Sequence, residues 1–493
     1  MQGSSHGATV LSPLPNISNP VQPSGGNGTR TIAIIGAGFS GTALAVQLLR
    51  QPDCAPLRIV LVDPREEVGA GVAYATRDYP YPLNVAAGQM SLDAAAPHDF
   101  LEFLGSRGIH AAAGDFLPRQ VYGDYLRARL EAARVASRHA TCTHHRASAL
   151  QLRRGAQGEA WDLWLDDGTA LRADDVVLAL GNPPPATLPA LESISISDRY
   201  VRDPWSIGAL ASQKLESVLL VGSGLTMIDA ALRLAALRPR VHHIRVLSRH
   251  GWLPQAQATE HRPAIKPDVD GSLDAARGST RRLVRAFQRL SRTVESQGGD
   301  WREVIAMTRA RLPGIWQGLD QTQRARFLRH ARSLWDVHRH RVPAGPLGAV
   351  QSLARKGLLE VYAGQLESAN LVDDGVEIFW RPRGAQRIRA WIVDRVVNCT
   401  GPDNGVARHA DPLVQSLLAN GWVRPDAHGL GIEVANDGRV ISRGGAPVDG
   451  LHYIGPWLRA RDWEATAVPE LREHALALAR RLAHPAPAVK AAT

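Results

Sequence analysis

Cysteine is scarce in this chain: only Cys54, Cys142 and Cys399 occur, far apart and without a CxxC pair. That spacing excludes a disulfide scaffold, a cysteine-based zinc site and a dithiol reductase, and it fits a reducing cytosol. No run of 18 apolar residues is present, so no membrane span is expected. Residues 1–30 lack the basic start and apolar stretch of a secretory signal and are expected to form a disordered leader. Acid is in deficit, with 57 Lys and Arg against 47 Asp and Glu and a formal net charge of +10. The arginines are spread along the chain instead of being gathered with stacking aromatics, so nucleic acid is not an expected partner. Phosphate-bearing cofactors and a small anionic substrate explain the basic bias more simply. With 493 residues, 44% of them hydrophobic, the chain exceeds the size at which single cores stop growing, and two or three domains are expected.

What is present is organised around residues 31–63, TIAIIGAGFSGTALAVQLLRQPDCAPLRIVLVD. Ile32 to Ile35 read as a buried parallel strand, followed at once by Gly36-Ala37-Gly38-Phe39-Ser40-Gly41. Gly36 permits a tight turn, Gly38 lets the backbone approach a pyrophosphate, and Gly41 lets the helix of residues 40–50 sit close to the strand. That helix offers free N–H groups and a partial positive charge to phosphates. Asp63 closes the second strand, where a carboxylate accepts hydrogen bonds from ribose hydroxyls. Strand, glycines, helix, strand and terminal acid in one run predict a dinucleotide cradle.

The stretch after Asp63, EEVGAGVAYATRDYPYPLNVAAGQMS, has neither helical nor strand periodicity. It leaves the carboxyl end of a strand, where ligands sit in open α/β sheets, and is expected to pass the cofactor or substrate. Helical signals run over 97–104 and 122–135. From Cys142 to Gly181 the pattern changes to a β-meander whose last strand, VVLALG, rejoins the first sheet, and a matching meander runs from Leu358 to Gly401. The two read as an internal repeat.

A second cradle begins at SVLLVGSGLTMIDAALRLAAL, with strand Val218–Val221, Gly222 and Gly224 in the turn, and Met227 where a third glycine would stand. Its second strand, His243–Leu247, ends in Ser248-Arg249-His250-Gly251 and has no acid. A carboxylate there repels a 2′-phosphate, whereas Arg249 grips one; a charged hydrogen bond of roughly 1.5 to 3 kcal/mol gives roughly a ten- to hundredfold preference for NADPH over NADH. Residues 271–342 read as a helical insertion, ending in Trp335-Asp336-Val337-His338-Arg339-His340-Arg341 before Pro343. His338, Arg339, His340 and Arg341 are candidates to hold an anionic substrate, although helix C-termini favour cations for dipole reasons alone. The last strand, Leu451–Ile454, leads to WEATAVPE, where Thr466 is a candidate cap and Pro469 suits a first helical turn.

The motifs GAGFSGTALAVQL, GVAYATRDYPYPLNVAAGQMS, PRQVYGDYL, VGSGLTMIDAAL, WDVHRHR, VVNCTGPD and WEATAVPELREHA recur in order in a family that the chain resembles. It is the FAD- and NAD(P)-binding family that includes bacterial FAD-dependent urate hydroxylases and aspartate N-monooxygenases. The resemblance covers nearly all of residues 31–482 and is nearest to the urate hydroxylases in size and motif order. It implies a two-dinucleotide-binding, Rossmann-like α/β flavoprotein with β-meander excursions and a helical insertion. It further implies FAD held by Gly36, Gly38, Ser40, Gly41 and Asp63, with Gly401, Thr466 and Ala467 beside it. NADPH, with NADH as second coenzyme, belongs on Gly222, Gly224, Ser248 and Arg249. The implied reaction inserts one oxygen atom from dioxygen into a small anionic substrate, urate first, with N-hydroxylation of aspartate or another amino acid as the alternative. A flavin reductase and a non-catalytic NADPH-binding module are more distant readings. No catalytic residue and no metal site is predicted. The domain layout expected is a FAD unit over 31–200 and 357–483, an NADPH unit over 201–356, and a loose tail over 484–493.

Overall fold

The computed structural model describes residues 29–52, 54–155, 160–258 and 265–484. The expected leader up to residue 28 and the expected tail from residue 485 lie outside the described residues.

The chain opens with β1 (Arg30–Ile35), the helix Phe39–Leu49 and β2 (Leu57–Val62), followed after the long loop and two helices, Asp99–Ser106 and Arg119–Ala136, by β3 (Ala140–His145). The first meander is β4 (Ala149–Arg154), β5 (Trp161–Leu165) and β6 (Ala170–Ala173), which form a sheet of their own before β7 (Asp175–Leu178) returns beside β1. A second unit holds β8 (Tyr200–Val201), β9 (Ser217–Val221), the helix Leu225–Ala236, β10 (His243–Ser248), β11 (Leu359–Val372), β12 (Gly375–Pro382), β13 (Arg389–Val393) and β14 (Arg395–Asn398). The chain then returns to the first unit with β15 (Arg439–Ile441), β16 (Pro447–Tyr453) and the helix Val468–Ala483.

The first sheet runs β15-β16-β7-β1-β2-β3 and the second β13-β12-β11-β10-β9-β14-β8. In each, the strand carrying the glycine turn lies between two parallel neighbours: β1 between β2 and β7, β9 between β10 and β14. Strands paired on both sides and covered on both faces must be apolar throughout, which is why IAII and VLLV read as unbroken runs. Ile32, Ile34, Val218, Leu219 and Leu220 are fully buried. The four-strand order β7-β1-β2-β3 recurs as β14-β9-β10-β11, but the meanders differ: the first forms a sheet apart, whereas the second continues the main sheet from β11.

One boundary needs correction. Residues 357–400, expected in the FAD unit, belong to the second sheet, because β11 pairs with β10 and β14 with β9. The sequence shows four strands there but not which sheet edge receives them.

The helical insertion holds, among the described residues, six α-helices between Val269 and Arg339. Four are fixed at their starts by side-chain caps: Asp268, Ser279, Asp300 and Asp320 accept from the backbone N–H groups of Gly271, Arg282, Arg302 and Gln323. Each such cap contributes about 0.5 to 2 kcal/mol. Inserted into the second unit, these helices dock on the closing loop of the first. The Trp316 indole donates to the Ala460 carbonyl (3.0 Å), Gln317 donates to Asp462 (2.9 Å), and Arg309 pairs with Glu470 (2.7 Å). Direct ties between the units are the ion pairs Arg119–Asp229 (2.7 Å) and Arg233–Asp78 (3.0 Å).

Candidate functional site: two glycine cradles and an aromatic chamber

At the first cradle Gly36 has φ +99°, and a Cβ there would stand 2.4 Å from the Ala179 carbonyl oxygen of the strand end beside it. A Cβ on Gly41 would stand 2.0 Å from the Gly36 oxygen, so helix and turn are in backbone contact as the fingerprint requires. Gly38 precedes the helix Phe39–Leu49, whose first turn carries no acid; its unpaired N–H groups face an incoming phosphate. Ser40 is buried here, its hydroxyl 3.8 Å from where a Cβ of Gly455, past the last strand, would sit.

The long loop after Asp63 packs directly on this turn. The Gly69 N–H donates to the Ala37 carbonyl (2.8 Å), and a Cβ on Gly71 would lie 2.9 Å from the Gly38 Cα. The loop is not wholly irregular, since Gly71–Tyr74 forms a helical turn and Ala87–Gln89 a 3-10 turn.

Asp63 is buried at the end of β2, and all its acceptor capacity is already in use. Its carboxylate accepts from the Ala37 N–H (2.8 Å), the Arg65 N–H (3.0 Å) and the Arg65 guanidinium (2.9 and 2.7 Å). Burial raises its pKa, but these hydrogen bonds outweigh burial and hold it below the usual carboxylate range. A ribose hydroxyl reaching Asp63 therefore displaces Arg65, a residue that sequence reasoning missed although it stands two positions from the acid.

The second cradle repeats the geometry with differences. Gly222 has φ +108° and approaches the Cys399 carbonyl oxygen, 2.6 Å from a Cβ, whereas a Cβ on Gly224 meets nothing within 4 Å. There is room at this turn for a ligand. Met227 is fully buried in the third-glycine position. Ser248 accepts from the Gly251 N–H (3.0 Å) and lies 2.8 Å from the hydroxyl of Ser223, which donates to the Trp252 carbonyl (2.6 Å). His250 stacks on Trp252 at 4.4 Å. Arg249 is exposed beside them and 3.4 Å from the Ser333 hydroxyl.

A second arginine shares this corner. Gly251 packs on Ala363, and the Arg383 N–H donates to the Ala363 carbonyl (2.9 Å), which brings the turn after β12 beside Arg249. Partial burial, then the charges of Arg383 and Arg249, push His250 below its usual range. Arg383 lies 134 positions from Arg249, and no local signal links them.

Gly401 stands three residues past the end of β14 and two past the Cys399 carbonyl that abuts Gly222. Its counterpart beside the first turn is Gly181, which follows β7 in the same way. Thr466 does not cap the last helix: Ala467 occupies the cap position and no side chain bonds there. Pro469 falls in the first turn as expected.

The four candidate substrate residues are drawn into the junction between the insertion and the closing loop. Arg339 pairs with buried Glu464 (2.8 Å), which also accepts from the Trp335 indole (2.8 Å). His338 bonds the Leu334 carbonyl (2.8 Å) and stands edge-on to Trp301. Burial pushes His340 below its usual range against the pull of Glu464 and Asp336. Arg341 donates to Gln257 (3.1 Å), which in turn donates to the Asn84 carbonyl of the long loop (3.0 Å). Burial and the neighbouring Arg339 and Arg302 push Arg341 down to about 10, and its Nη1 has no partner among the described residues. Arg339 Nη2 likewise has no hydrogen-bond partner among the described residues but lies 3.7 Å from the Glu470 carboxylate, so Arg341 Nη1 is the one of these two donors with no carboxylate paired to it among the described residues.

Beside this junction the insertion forms a chamber of about 410 Å³, open to solvent and lined in part by Phe287, Trp301, Trp316, Phe327, Trp335 and Trp463. Among the described residues no cluster of side chains suits a metal ion, and no helix is long and apolar enough to cross a membrane.

A family profile described as FAD-NAD(P)-binding matches residues 33–183, which span the first cradle and its meander. No curated protein matches the chain. Among solved structures, ornithine hydroxylase (PvdA) from Pseudomonas aeruginosa aligns over 92% of this chain and 99% of its own, at TM-score 0.61 and 15% identity. L-lysine 6-monooxygenase from Pseudomonas syringae aligns over 92% and 99%, at 0.58 and 18%. DfoA, the cadaverine monooxygenase of desferrioxamine biosynthesis in Erwinia amylovora, aligns over 92% and 94%, at 0.60 and 14%. At these identities the comparison establishes a shared fold, the two-dinucleotide-binding flavoprotein architecture.

Proposed function

We propose that the protein is a FAD-dependent, NADPH-using monooxygenase that hydroxylates the nitrogen of an amine. The observation that carries this reading is the pair of glycine cradles in one body, each with a backbone approach that a Cβ would fill. The first fits an FAD: Gly36, Gly38 and Gly41 at the pyrophosphate, Asp63 with Arg65 at the ribose, and the loop from Gly69 to Gly71 across the turn. The second fits NADPH, with Gly222 and Gly224 at the pyrophosphate and Ser248, Arg249 and Arg383 around the 2′-phosphate.

Bound flavin supplies the hydride acceptance and dioxygen activation that side chains cannot. The reaction then balances as amine, dioxygen, NADPH and a proton giving hydroxylamine, NADP⁺ and water. The chain's share is placement and exclusion of water. The closing loop, held by Trp316, Gln317, Trp335 and Arg339, covers the region between insertion and first unit.

Urate, expected first, gives way here to amine N-hydroxylation. The fold neighbours are named for ornithine, lysine and cadaverine, all amines. The test is direct: purified protein should be yellow, and an amine panel, but not urate, should accelerate NADPH oxidation with stoichiometric hydroxylamine. Colourless protein that takes up no FAD rejects the reading, and so does urate-stimulated turnover.

A further inference from the structure

The aromatic chamber lies wholly in the insertion except for one wall. Trp463 comes from the closing loop, is buried, and stands 4.9 Å from both Trp316 and Phe327. Phe287 and Trp335 meet edge to face at 5.4 Å, and Trp335 reaches through to Glu464. Its volume of about 410 Å³ falls within the ~300–1,000 Å³ of small-molecule sites. The polar side chains along it are Gln288, Arg292 and Glu295, which are exposed, Ser291 and His338, which are half-buried, and Thr280, which is buried; the rest of the lining is aromatic and aliphatic. An open-sided apolar cleft of this size among large rings is shaped to take a ring-sized apolar group.

We infer that this chamber binds the apolar body of the substrate, an aryl or branched-alkyl group. The hydroxylated amine is then an arylalkyl amine and not a short, doubly charged amino acid. This rests on the N-hydroxylase reading for the reaction but not for the binding. A phenyl group buries most of its apolar surface among these rings, whereas the second charge of a diamine and the carboxylate of an amino acid must be stripped of water to enter.

The experiment is calorimetric titration of the FAD-loaded protein with 4-phenylbutylamine, 4-phenylbutanol, cadaverine and ornithine. Both phenyl compounds should bind at least tenfold more tightly than cadaverine or ornithine. Val284→Trp, which fills the chamber from a half-buried position on its wall, should weaken both phenyl ligands tenfold or more. Phe287→Ala, which removes a ring without adding bulk, should weaken them as well. Equal or tighter binding of cadaverine or ornithine overturns the inference, as does phenyl binding that neither variant alters. If 4-phenylbutanol binds as expected while 4-phenylbutylamine yields no hydroxylamine, the chamber assignment stands and the reaction assignment falls.

Discussion

Replacing Arg119 by Met should destabilise the protein far more than replacing Arg119 and Asp229 together. Asp229 lies on the helix that follows the second cradle, is buried, and faces Arg119 of the first unit at 2.7 Å. Burial nevertheless pushes its carboxyl from an ordinary 3.8 up to about 6, so removal from water outweighs the attraction of the guanidinium. At 1.36 kcal/mol per unit, holding Asp229 charged above pH 6 costs about 3 kcal/mol. The folded pKa exceeds the unfolded one, so protonated Asp229 favours the fold. That contribution is complete below about pH 4 and is lost as pH rises through about 6. Arg119→Met strands the carboxylate and should cost about 3 to 5 kcal/mol at pH 7. The double variant, Arg119→Met with Asp229→Leu, should be at least as stable as the native protein at pH 7 and lose that advantage at pH 4. Midpoints of urea unfolding, followed by tryptophan fluorescence at pH 4, 5.5 and 7, measure all three. A single variant as stable as the double, or a native-to-double gap that ignores pH, would refute the reasoning.

Other outcomes follow from the cradles. Gly41→Ala places a methyl 2.0 Å from the Gly36 oxygen, backbone that cannot yield, and should give protein with little flavin absorbance; normal FAD content would count against the first cradle. Gly224→Ala meets open space, so it should leave FAD content intact while raising the KM for NADPH severalfold; an unchanged KM would show that no pyrophosphate lies there. Arg249→Ala and Arg383→Ala should each raise the KM for NADPH roughly tenfold or more and spare NADH, given about 1.5 to 3 kcal/mol per charged hydrogen bond. Equal effects on both coenzymes would remove the 2′-phosphate from that corner. Arg65→Ala frees two acceptor positions on Asp63, and a titration of the apoprotein with FAD will show whether the affinity shifts by the severalfold expected of a group standing in the ribose's place.

Much of the architecture was legible in the sequence because the rules that shape it are local. A glycine turn after an apolar strand needs residues within six positions of one another, and Gly36, Gly38, Gly41, Gly222 and Gly224 lie as their spacing implied. The strands of both meanders and the insertion's helices likewise follow from periodicity and caps. Sheet membership was not legible. Residues 357–400 show strands, but their attachment to β10 and β9 is a long-range choice set by which edge offers parallel partners.

Consecutive residues alone were enough to specify a two-cradle α/β chain with an arginine where the second cradle would otherwise carry an acid, since each of those features is written within one short segment. Which side chains share a site was settled by folding. Packing brought Arg383 and Arg249 within electrostatic reach of the same His250, put Arg65 on Asp63, and turned Arg339 inward to Glu464 while leaving Arg341 Nη1 without a partner among the described residues. It also assembled six rings from four helices, a helix start and a loop into one chamber. Apart from Arg65, these groupings join segments tens to hundreds of residues apart, and no periodicity along the chain records them.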